Sequence, residues 1–223
     1  MKRITVVSIV SILFLCLASL VGYFLRYLNT DSAWLMLGIG VGIGIISFSC
    51  AGTLKKYKIT NYLCLVLSSI ALGFMIRAWY IYRGFDNKWW VMILTSISCA
   101  IYLWIYYLLL HIPYFKNHSA GFTIVFVIVS LIVYLFVMGF TKTTFVSTFG
   151  YYMIIEIGFI FALIKDSDSN FELLRNMVMS SYAIFIVAFI IFIILLAGDG
   201  ADFDFDLDLS GIGEGKEKKR KKV

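Results

Sequence analysis

The chain has 223 residues, 61% of them hydrophobic, 17% aromatic and only 14% charged, with a formal net charge of +6. An average soluble protein is about one-quarter charged, and a soluble domain of this length has too small an interior to hide so much apolar surface. The composition excludes an ordinary soluble enzyme and points to an all-α membrane protein, a polytopic bundle of about seven transmembrane helices (residues 1–197) followed by a short acidic-then-basic tail (residues 198–223).

The 19 Lys+Arg and 13 Asp+Glu divide unevenly: 13 and 6 in residues 1–197, 6 and 7 in residues 198–223. The positive excess therefore lies in the membrane body, where it encodes topology rather than affinity for nucleic acid. Four cysteines (Cys16, Cys50, Cys64, Cys99) fall inside apolar runs with no C-x-x-C pair, which reads as small buried hydrophobes rather than disulfides or metal ligands. One proline among many Ile, Phe, Tyr and Lys suggests an AT-rich, prokaryotic genome.

Met1-Lys2-Arg3 precedes an apolar run from Ile4 to Leu25, too long for a signal peptide and without a small-x-small cleavage site. It is expected to be a retained first span. The second span, Ala33 to Leu54, contains Gly38, Gly40, Gly42 and Gly44. On a helix these form two small-xxx-small pairs, Gly38/Gly42 and Gly40/Gly44, on faces about 200° apart, so one neighbouring helix is expected to pack on each side. Span three, Ile59 to Tyr82, carries Arg77, close enough to the loop at Arg83 to snorkel and otherwise a candidate partner for a deep carboxylate. Trp89-Trp90 anchors span four, which runs to Leu110 and holds Tyr102, Trp104, Tyr106 and Tyr107. These aromatics read first as an interfacial belt and second as a ligand stack. His111 and Pro113 close it, and two loop histidines (His111, His118) without a nearby acid or thiol are not a metal site.

Span five, Phe122 to Phe140, is nearly featureless. The link Thr141-Lys142-Thr143 is so short that spans five and six must be antiparallel neighbours. Span six, Thr144 to Ile164, is the stretch the other spans are expected to bury, because it holds the one deep carboxylate, Glu156. A charge at the centre of a membrane helix costs about 2.5–3.5 kcal/mol on insertion scales, so Glu156 should face other helices or a wet cavity. Tyr152, one turn away on the same face, or a residue of another span is expected within hydrogen-bond reach of it, with Thr148 a turn further along the same span. Ser169-Asn170-Phe171-Glu172 matches the S-x-x-E capping box and opens a last helix from about Asn170 to Ala197. In the tail, Asp202, Asp204, Asp206 and Asp208 alternate with Phe203, Phe205, Leu207 and Leu209 and would line one face of an extended segment, a contact surface for a protein partner or a cation. No calcium-loop register fits.

Catalytic signatures are absent: no H-E-x-x-H, no G-x-S-x-G, no phosphate loop and no paired carboxylates within one span. No cofactor or metal is expected, and the partners are the lipid bilayer and a protein that the tail engages. The sequence thus favours a non-enzymatic membrane subunit or scaffold in a prokaryotic plasma membrane. The alternative is a small transporter or channel in which Glu156 carries a proton or cation. Loop charges favour an inside N-terminus, because Lys2, Arg3, Lys55, Lys56, Lys58, Lys116, Lys165 and Arg175 then lie inside against Arg26, Arg83, Lys88 and Lys142 outside.

Overall fold

The structure, a computed structural model, describes residues 2–28, 32–54, 57–85, 88–140, 142–164 and 169–198. Every element among them is helical: α1 (Lys2–Phe24, then a 3-10 turn Leu25–Tyr27), α2 (Ala33–Thr53), α3 (Lys58–Arg83), α4 (Trp89–Leu109), α5 (Pro113–Asn117), α6 (Ser119–Phe140), α7 (Thr144–Ile164) and α8 (Asn170–Gly198). Six stretches among the described residues are long and apolar enough to cross a membrane: Arg3–Tyr27, Ala33–Thr53, Ile59–Arg83, Trp89–Leu109, Ser119–Val137 and Thr144–Ile164. The chain divides into two compact units, Met1–Phe189 and Ile190–Val223. Of the second, only 190–198 are described, as the end of α8.

Local chemistry sets the helix ends. Ser32 Oγ accepts the Leu35 N–H at 3.3 Å, and Ser169 Oγ accepts the Glu172 N–H at 3.3 Å, so the capping box opens α8 at Asn170. Glu172 turns its carboxylate to Arg175, 3.1 Å away. α3 ends at Gly84, whose φ of 63° is the left-handed conformation glycine adopts without strain. Its N–H and that of Phe85 return to Ile81 and Tyr80, at 3.2 and 2.9 Å. The connection after α4 is more ordered than a loop: Pro113 starts the short helix α5, and α6 begins at Ser119, before Phe122.

The exterior is apolar where that of a soluble protein is polar, and the apolar core also holds polar residues. Large apolar side chains such as Leu13, Ile45, Ile105, Ile132 and Phe136 lie on the outside, while Ser11, Ser47, Thr95, Ser96, Ser147, Thr148 and Glu156 are completely buried. Between membrane helices the contacts that matter are close packing of small residues and polar bonds, and both lie inside. α1 shows how. Its buried stripe is Ile4, Ser8, Ser11, Leu15, Ala18, Gly22 and Leu25, recurring every 3.5 residues, and it packs against α3, α4 and α7. A Cβ on Gly73 of α3 would sit 2.6 Å from the Val21 Cβ and 2.8 Å from the Ala18 carbonyl, so glycine there permits the closest α1–α3 approach.

α7 occupies the centre. It packs against α1, α4 and α6, is hydrogen-bonded to α3, and brings Gly158 directly against the backbone of Ser181 in α8. α6, so plain in sequence, is fixed by a column of rings. Phe115, Phe122, Tyr106, Phe126, Tyr102, Tyr134 and Phe149 follow one another at centroid distances of 4.4–6.1 Å. Tyr102 and Tyr106 also bond Ser130 and Thr123, each at 2.6 Å, so these two aromatics belong to the α4–α6 contact rather than to a surface belt.

Candidate functional site

The polar groups of α7 fall on one line. Thr148, Tyr152 and Glu156 are spaced i, i+4, i+8, hence stacked about 6 Å apart along one face. Each meets a different partner across a helix boundary. Tyr80 of α3 is bonded to Thr148, Ser19 of α1 to Tyr152, and Ser11 of α1 to Glu156 Oε1. A further contact joins Trp79 Nε1–H to Ser147 Oγ at 3.0 Å.

Proton bookkeeping gives these bonds a direction, since a hydroxyl carries one hydrogen. Thr148 spends its proton on the Thr144 carbonyl at 2.6 Å, and Ser19 spends its own on Leu15 at 2.7 Å. Both must therefore accept, so Tyr80 donates to Thr148 and Tyr152 donates to Ser19. Ser11 donates to Glu156. Tyr152 is thus committed to α1 rather than to the carboxyl one turn below it, as is Thr148 to α3. Of the two partners expected for Glu156, Tyr152 or a residue of another span, the structure has the second, Ser11 of α1.

Glu156 is completely buried. Besides Ser11, its surroundings include Cys99 and Tyr102 of α4, which lie near enough to interact with it electrostatically. Its second oxygen, Oε2, is buried and has no hydrogen-bond partner among the described residues. Ser8 Oγ, one turn from Ser11 on the same stripe of α1, is buried and unpartnered in the same sense. A space of about 30 Å³ between α1, α3, α7 and α8 is walled by Phe14, Leu72, Met75, Ile155, Val178 and Tyr182 among others, and Glu156 is not part of its wall.

Arg77 and Glu156 sit at different depths. The Tyr80–Thr148 contact sets the register of α3 on α7. At 1.5 Å per residue Arg77 lies about 4 Å deeper than that contact and Glu156 about 12 Å deeper. The arginine is half-buried. The four glycines of α2 separate into two behaviours. A Cβ on Gly40 would come within 2.9 Å of Ala71 O and Met75 Cγ of α3, and one on Gly44 within 3.2 Å of the Tyr182 ring of α8, whereas Gly38 and Gly42 have nothing within 4 Å. One face is filled by two helices; the opposite face is open.

Sequence reasoning missed Ser11, Ser19 and Tyr80. The available signal was in α1, where Ser8, Ser11, Ala18, Ser19 and Gly22 place small or polar residues at helical spacing inside a Leu/Val/Ile run. All four cysteines are free thiols. Among the described residues no three His, Cys, Asp or Glu gather as a metal site would require. The tail carboxylates Asp202, Asp204, Asp206 and Asp208 lie outside the described residues. No protein-family model, curated protein or solved structure matches the chain.

Proposed function

We propose that this chain is a non-enzymatic, multi-pass membrane subunit of a prokaryotic plasma membrane, a scaffold whose bundle is held rigid by interhelical hydroxyl bonds and whose tail recruits a protein partner. In this reading α8 is the seventh span, its 29 residues being long enough to cross the bilayer. The observation that carries the proposal is the enclosure of Glu156. The deepest carboxyl among the described residues is wrapped by side chains, bonded to a serine and absent from the wall of the neighbouring space. A residue that loads and releases an ion needs a route to water, whereas a bracing residue needs partners on other helices.

The test is Glu156→Gln, which keeps the shape and a hydrogen-bonding group but removes the titratable one. The scaffold reading expects wild-type abundance in the membrane and an unchanged set of co-purifying proteins. A second reading, a small proton- or cation-linked transporter, draws on the unpartnered Oε2. It expects the same variant to keep its abundance and to lose any proton- or cation-dependent flux measured in proteoliposomes. Flux in the wild type that disappears in Glu156→Gln would overturn the scaffold reading.

A further inference from the structure

Where α3 stops and α6 turns into α7, an open cleft of about 580 Å³ is lined by Arg83, Gly84, Phe85, Phe140 and Lys142. Its origin is geometric. The end of α3 is tied to the start of α7 through Tyr80–Thr148 and Trp79–Ser147, and α6 packs on α7. Both helices thus lean on α7 at this level, and the cleft opens between their ends. Among the described residues that line it, two are cations and none is an acid.

One of the two cations, Arg83, is set in place by aromatic rings. The Arg83 guanidinium lies 5.4 Å from the Trp79 ring centroid and 5.6 Å from that of Phe85, which itself packs edge-on against Tyr80 at 5.9 Å. The turn that brings Phe85 back is the Gly84 cap. Because the Gly84 and Phe85 N–H groups occupy the Ile81 and Tyr80 carbonyls, these oxygens at the negative end of α3 are already engaged. Lys142 is exposed on the opposite side. Below it, Phe140 stacks on Phe136 at 4.4 Å, and the outer face of α6 continues with Ile132, Val133 and Val129, all exposed.

We propose that this cleft binds the phosphate of an anionic phospholipid between Arg83 and Lys142, with an acyl chain lying on Phe140 and Phe136. A phosphodiester is an anion fixed to hydrocarbon, and the cleft offers cations and an apolar strip at the level where two membrane-crossing helices end. A free phosphate would use the cations and leave the strip without a role.

The experiment uses the full-length protein, purified in detergent and delipidated, with thermal unfolding and native mass spectrometry as readouts. Phosphatidylglycerol is expected to raise the unfolding midpoint in a concentration-dependent way and to remain bound as one retained adduct, with phosphatidylcholine and inorganic phosphate giving neither. Arg83→Gln/Lys142→Gln should weaken the phosphatidylglycerol response at least tenfold. Lys142→Gln alone alters only an exposed side chain and should show a smaller loss, which keeps the test informative if the double variant is poorly folded. Lys88→Gln, a cation that does not line the cleft, should behave as wild type. Equal responses to phosphatidylcholine, an undiminished response in the Lys142 variants, or an equal loss in Lys88→Gln would overturn the proposal. A response to inorganic phosphate matching that to phosphatidylglycerol would overturn the lipid as the ligand.

Discussion

Ser11 and Tyr152 look alike as hydrogen-bonding residues of the interior, yet removing each leaves a different debris. In Tyr152→Phe the ring stays and only the donor to Ser19 goes, while Ser19 keeps its bond to Leu15. The expected loss is near the average for one bond between membrane helices, about 0.6 kcal/mol. Ser11→Ala removes the donor to Glu156 Oε1 when Oε2 already lacks a partner, so a whole carboxyl is stranded in the core. That variant should lose about 1–3 kcal/mol, the range for an unsatisfied buried polar group. Reversible unfolding in bicelles would rank the two, and a Tyr152→Phe loss as large as that of Ser11→Ala would contradict this account. Glu156 was legible in the sequence because a lone acid in an apolar helix has no lipid-facing solution. Its partner was not, because Ser11 lies 145 residues away and nothing local says which helices become neighbours.

Helix spans were the most legible elements, since their length and apolarity follow from bilayer thickness and need no knowledge of packing. Which face of a helix is used is a different matter. The glycine periodicity of α2 defined two faces correctly as geometry, but only tertiary packing decides that Gly40 and Gly44 are covered and that Gly38 and Gly42 are open. Alanine substitution should separate them. In an open helical position alanine is preferred over glycine by about 1 kcal/mol, so Gly38→Ala and Gly42→Ala should be neutral or mildly stabilising. Gly40→Ala pushes a methyl into the Ala71 carbonyl and should cost about 1–3 kcal/mol. Gly158→Ala should be the worst of the set, because the obstruction is the backbone of Ser181, which cannot rotate aside. If Gly158→Ala matches Gly38→Ala in the same unfolding assay, the close α7–α8 contact is wrong. The aromatic column that fixes α6 was illegible for the same reason: Phe122, Phe126 and Tyr134 acquire meaning only opposite Tyr102 and Tyr106.

For the whole molecule, we propose from the charge distribution an N-terminus inside and, in the reading with α8 as a seventh span, a tail outside. A C-terminal tag should then be cleaved by external protease in intact cells, and a protected tag would reverse the assignment. The joining of α1 to α7 has a further consequence for how the protein is made. Ribosomes deliver α1 well before α7, so Ser11 and Ser19 enter the membrane long before Glu156 and Tyr152 exist. Until then the serines must be shielded by the insertion machinery, by α3 and α4, or by their own backbone carbonyls, as Ser19 does with Leu15. α7 in turn enters with an acid that only a helix made much earlier can receive. The acid of α7 thus meets its partner only when this late helix joins earlier ones, and α8 follows by packing on α7 through Ser181.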